Sequence, residues 1–101
     1  MHYGDLLTRF FNELAIMRSE LEFLDKWRKT GAKSIWTCRD GQQIRICDMD
    51  DKHLDNTIKL LDRKCPNSDA LTYLRIEKRY RSEYKSLKRN IAKYERISNL
   101  I

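Results

Sequence analysis

The sequence predicts an α+β fold, mostly helical, in which two long amphipathic, heptad-patterned helices flank a two-stranded β-hairpin and a short helix. Three observations predict it: an apolar stripe in steps of three and four near the start, an Asp-Gly pair between β-prone runs in the middle, and a second heptad pattern from Tyr73 onward. At 101 residues the chain makes one domain, 1–101, with a small core. With 41% hydrophobic and 36% charged residues and a single proline, the composition is that of a folded helical domain and not of a disordered chain.

The first helix is predicted over 5–29. Leu7, Phe10, Leu14, Met17, Leu21 and Leu24 fall on one stripe, while Phe11, Ile16, Phe23 and Trp27 lie off it and widen the apolar surface, which predicts more than one packing neighbour. Asp5 near the start and Lys26, Arg28 and Lys29 near the end carry the signs that the helix dipole favours, and Gly31 suits a stop.

The period then changes. Between residues 34 and 47, IWTCR and QIRI flank Asp40-Gly41, the pattern of a hairpin with a two-residue type I′ turn. That turn sets a register in which Arg39 pairs with Gln42, Thr37 with Ile44 and Ile35 with Ile46 on the core face. Trp36 then opposes Arg45 on the outer face, as an exposed cation–π pair or as a binding patch.

Asp50 is a good N-cap for a third element over 51–64, with Leu54, Ile58 and Leu61 as its buried stripe, and Cys65-Pro66 ends it. Asn67 or Ser68 then caps a basic helix over 68–99. There Tyr73, Tyr80, Leu87 and Tyr94 recur every seven residues with Ile76, Tyr84 and Ile91 between them. Tyrosines in a seam need partners for their hydroxyls, which predicts a partly wet interface. The two long helices pair antiparallel within one chain, with the middle unit capping one end, or pair between two copies in a homodimer.

Charge is distributed unevenly. The net charge is +1 over residues 1–33, −1 over 34–70 and +6 over 71–101, so the excess lies in the last helix. Arg81, Lys85, Lys88, Arg89 and Lys93, with Arg75, Lys78, Arg79 and Arg96, lie mostly off the seam, as a surface for an acidic protein or for a nucleic-acid backbone. No apolar run is long enough to span a bilayer, and MHYGDLLTRF lacks the layout of a signal peptide, so no membrane partner and a cytoplasmic location are expected.

Chemistry is hard to find. Cys38, Cys47, His53 and Cys65 could together offer zinc ligands, but no close pair among them holds a local chelate, and free thiols in a reducing compartment fit better. Asp48, Asp50, Asp51 and His53 resemble an acid–base cluster and are better read as a helix start. No phosphate loop, nucleophile elbow or calcium loop is present, so no cofactor, metal or catalysis is expected.

From Trp36 to Arg63 the stretch WTCRDGQQIRICDMDDKHLDNTIKLLDR resembles a pattern in small uncharacterised accessory proteins of bacteriophages and prophages. In those a Trp, Thr and Asp-Gly hairpin leads into an M-x-D-x-H-L-x-N-x-I-x-x-L helix, matched here by Met49, Asp51, His53, Leu54, Asn56, Ile58 and Leu61. The resemblance implies a phage-encoded protein in the bacterial host cytosol and brings no established activity with it. What the resemblance implies is action by occupying a surface of a host or defence protein, with inhibition of a host system as one concrete form. It also draws attention to His53 and Asn56, neighbours at i, i+3, as a polar contact to the hairpin or to a ligand.

Overall fold

The computed structural model describes residues 3–101, so the first two residues of the expected domain lie outside it. The elements run α1 (Tyr3–Lys29), a 3-10 turn (Gly31–Lys33), β1 (Ile35–Thr37), β2 (Gln43–Arg45), a second 3-10 turn (Ile46–Asp48), α2 (Asp51–Lys64) and α3 (Asp69–Ser98). The fold is α+β and mostly helical, as the sequence predicts, and the helix bounds differ from the predicted ones by at most two residues. Their caps say why. Asp50 accepts from the His53 N–H at 2.7 Å, Ser68 accepts from the Ala70 N–H at 3.1 Å, and Cys65 closes α2 one residue before Pro66.

α1 and α3 pack antiparallel within the chain, in a molecule 59 × 24 × 20 Å. Their pairing runs from Trp27 with Glu77 at one end to Glu13 with Tyr94 towards the other. α2, the hairpin and the 3-10 turns gather at one end. They form a head around Trp27, Ala32, Ile46, Met49, Leu54 and Leu74, while Leu14, Leu24, Leu87 and Ile91 form a second cluster along a two-helix arm. Tyr80 packs against both.

The predicted seam of α1 is the buried one: Leu14 and Leu24 are fully covered, and Leu7, Phe10, Met17 and Leu21 are half-buried. Of the off-stripe residues, Trp27 alone finds a second neighbour in the head, whereas Phe11, Ile16 and Phe23 are exposed. Two hydroxyls of the tyrosine seam meet carboxylates of α1. Tyr84 donates its hydroxyl to Asp25, Tyr94 donates to Glu13 at 2.8 Å, and the Tyr94 ring stacks on Phe10 at 4.8 Å between centroids.

The hairpin departs from its predicted register by one residue. Strand partners are Ile35 with Arg45, Trp36 with Ile44 and Thr37 with Gln43, and Arg39–Gly41 form a three-residue loop. Gly41 has φ 87° and no other residue described has a positive φ, so the two-residue type I′ turn, which needs two, is excluded. Asp40 instead accepts from the Gln42 N–H at 3.0 Å, and the Gly41 N–H bonds the Cys38 carbonyl at 2.9 Å, a type I turn closed by a left-handed glycine. A slip of one residue exchanges the faces. Trp36 and Ile44 therefore turn inward onto the head core, while Ile35, Thr37, Gln43 and Arg45 face out. Ile46 keeps its predicted burial because it has left the strand for the 3-10 turn.

Candidate functional site

The site is built on α3, and its sequence splits the helix in two. One face of the first half, Leu71, Leu74, Glu77 and Arg81, turns toward α2 and the second 3-10 turn, and the seam face turns toward α1. Basic residues on this half consequently meet acidic residues of the other two helices and of α3 itself. Arg75 pairs with Asp62 at 2.6 Å, Lys78 with Asp55 at 2.9 Å, and Arg79 with Glu83 and Glu20 at 2.8 and 3.3 Å. The hydrogen bond from Lys78 holds the Asp55 carboxyl below its usual range, and the one to Glu83 raises the Arg79 guanidinium.

Arg81 is committed most fully. Its Nε donates to Glu77 at 2.7 Å, Nη1 to Asp51 at 2.8 Å, and Nη2 to the Met49 and Ile46 carbonyls at 2.7 and 3.3 Å. Glu77 is 1% exposed, and its other oxygen accepts from the Trp27 indole at 3.1 Å. Burial works to lower the Arg81 pKa, and the bonds to Glu77 and Asp51 outweigh it. One guanidinium thus fixes α3, α2, the second 3-10 turn and, through Glu77, α1. Arg81 is a staple of the fold and not a free contact.

Beyond Arg81, α2 has ended and the arm begins. Lys85, Lys88, Arg89, Lys93 and Arg96 are all exposed, and among the described residues none of them forms an ion pair. They span about 16 Å of helix. The acidic residues of this half lie elsewhere: Glu83 binds Arg79, and Glu95 meets Arg18 at 3.4 Å. Lys88 lies over the Tyr84 ring at 5.4 Å. The outcome is a positive stripe free of carboxylates on the outer face of the arm, able to meet an anionic surface electrostatically.

No family model, curated protein or solved structure matches the chain.

The other predicted residues lie in the head and do not join the stripe. Trp36 is half-buried against the head core. Arg45 faces out beside Ile35 and bonds Asp48 at 2.8 Å, an interaction that raises its pKa, so the predicted Trp36–Arg45 pair does not form. His53 enters the described hydrogen bonds only through its backbone, and exposed Asn56 enters none. They do not tie helix to hairpin; Arg81 ties α2 and the adjoining 3-10 turn to α3 instead. Cys38, Cys47 and Cys65 are free, and among the described residues no group of His, Cys, Asp and Glu is placed to hold a metal ion. No described helix is long and apolar enough to cross a membrane.

Sequence reasoning missed the Trp27–Glu77–Arg81 node. Its signal was present: Glu77 sits between Leu74 and Tyr80, in a stretch whose spacing buries it, and a buried carboxylate requires donors.

Proposed function

We propose that this chain is a non-catalytic binding protein of phage or prophage type that occupies an acidic surface of a bacterial host or defence protein. The observation that supports this reading is the uncompensated stripe of Lys85, Lys88, Arg89, Lys93 and Arg96. Like charges at i, i+4, such as Lys85 with Arg89 and Arg89 with Lys93, cost a helix about 0.2–0.5 kcal/mol per pair. The fold neutralises Arg75, Lys78, Arg79 and Arg81 internally and leaves this stripe bare, so its field is directed at something outside the chain.

An acidic protein suits the stripe better than single-stranded nucleic acid. Stacking platforms need free aromatic faces, whereas Tyr84 and Tyr94, the aromatics nearest the stripe, are held against α1 by Asp25, Glu13 and Phe10. As a phage-encoded product the protein would act in the host cytosol, where blocking a partner's acidic surface inhibits it.

The test compares the wild-type chain with a variant in which Lys85, Lys88, Arg89 and Lys93 are all glutamine. Capture from a bacterial lysate is expected to retain a protein that the variant loses. Fluorescence anisotropy with a random duplex supplies the opposing arm. Duplex affinity falling by roughly 0.9 log units per phosphate neutralised for each tenfold rise in salt, and lost in the variant, moves the assignment to nucleic acid. Capture indifferent to the variant removes the stripe from the function.

A further inference from the structure

The two-stranded sheet has two open edges, and they are not alike. Hydrogen bonds join Cys38 to Gln42 and Ser34 to Ile46, and the antiparallel ladder alternates, so the N–H and C=O groups of Ile35 and Thr37 point away from β2. By the same count Gln43 and Arg45 point theirs outward from β2. The β2 edge is guarded by a charged pair, Arg45 with Asp48, as exposed edges usually are. The β1 edge carries no charge from Ser34 to Cys38, and it shows an isoleucine, Ile35, that is 57% exposed. An apolar, uncharged, unpaired edge is a liability unless something covers it.

Beside β1 lies a hollow of about 480 Å³ between the strand and the first turns of α3, lined among others by Ile35, Trp36, Ile46, Ala70, Thr72 and Tyr73. Asp69 is the one charged residue in its lining. Trp36, turned inward by the hairpin register, forms part of its wall. A second hollow, shared at Ser34 and Tyr73, continues past Phe23 and Trp27.

The geometry points to this edge as a second binding site, which takes an extended, apolar segment of a partner protein as a third strand. Outward donors and acceptors recurring every second residue are matched by another extended main chain and not by a helix. Each alternate side chain of the added strand then falls over the hollow, where Ile35, Ile46, Ala70 and the Tyr73 ring suit a β-branched or aromatic residue. The site is separate from the basic stripe and stands whether or not that stripe finds an acidic partner.

The probe is a random heptapeptide display library panned against the full chain, with enriched peptides followed by amide-resolved NMR. Enriched peptides are expected to alternate apolar residues and to slow solvent exchange at the Ile35 and Thr37 amides. N-methylation of their alternate amides, or Ile35→Lys in the protein, is expected to weaken binding by at least about tenfold. Gln43→Lys on the opposite edge, and the glutamine variant of the stripe, are expected to leave it unchanged. Because Ile35 faces water, Ile35→Lys keeps the fold, which circular dichroism checks. No enrichment, equal binding of the N-methylated peptides, or protection at β2 overturns the assignment. So does a dimer, seen by light scattering, that Ile35→Lys disperses, since the edge is then covered by a second copy of the chain.

Discussion

Replacing Arg81 by methionine tests the architecture most directly, because it removes every polar bond of the staple at once while retaining an unbranched stem. Glu77 would remain 1% exposed with the Trp27 indole as its sole partner, and the Met49 and Ile46 carbonyls would each lose a donor. Breaking a buried ion pair from one side typically costs 3–5 kcal/mol, and Arg81 is itself largely covered, so a loss of about 3–4 kcal/mol is expected. With a urea dependence of about 1–3 kcal/mol per molar, the midpoint falls by roughly 2 M. The assay is urea unfolding followed by circular dichroism and by fluorescence, since both tryptophans lie in the head. Arg81→Met combined with Glu77→Leu removes the stranded carboxylate and is expected to recover at least half of the loss. A single variant that loses less than about 1 kcal/mol, or a double variant no better than the single, refutes the claim that this ion pair organises the head.

Four further outcomes follow from the same geometry. The Tyr84 hydroxyl, donated to Asp25, has its pKa pushed up to about 12, so the folded state keeps that proton longer than the unfolded chain does. Its contribution is present below the ordinary tyrosine pKa of about 10 and is lost as pH rises from there to about 12, a slope in unfolding midpoint that Tyr84→Phe reduces, leaving the part due to Tyr94, whose pKa the bond to Glu13 also raises. Gly41→Ala forces a side chain into φ 87° and is expected to lower stability by about 1–2 kcal/mol in thermal melts, with Gly41→Asn costing less. At Gly31 a Cβ would meet the Trp27 ring, so Gly31→Ala should cost about 1–3 kcal/mol and shift the tryptophan emission. Arg75→Gln with Lys78→Gln breaks exposed pairs with Asp62 and Asp55, and it is expected to leave the urea midpoint close to that of the wild type and capture through the stripe intact.

Periodic features were legible in the sequence and singular ones were not. The α1 stripe, the seam from Tyr80 to Tyr94, Asp50 and Ser68 as caps and the stop before Pro66 are repeated or local signals, and each appears where the pattern places it, whereas Tyr73, the first residue of the predicted seam, is exposed in the head. The hairpin was legible in existence but not in register. One side-chain bond, donated by the Gln42 N–H to the Asp40 carboxylate, favours the three-residue loop, and that choice reverses which of Ile35 and Trp36 faces the core. The basic helix was legible as a total charge. Its division into a neutralised half and a bare half depends on where α2 ends in space, which the composition of α3 does not contain. Arg81 shows the cost of reading charge without contacts, since counted among the free cations it proves the most fully bonded of them.

The division of the core into two clusters also predicts how the molecule opens. Tyr80 packs against both, and α3 runs unbroken from one to the other, so the head and the arm communicate through one helix and a shared ring. The arm rests on four buried side chains and has no third layer, and at its far end Leu6, Phe11, Leu100 and Ile101 remain exposed. Amide exchange should therefore form a gradient, fastest at the far end of the arm and slowest around Leu54 and Leu74, with the two helices separating in transient openings that leave the head closed. A partner that grips the stripe during such an opening would stop the fraying, and slowed exchange along both arm helices would record it.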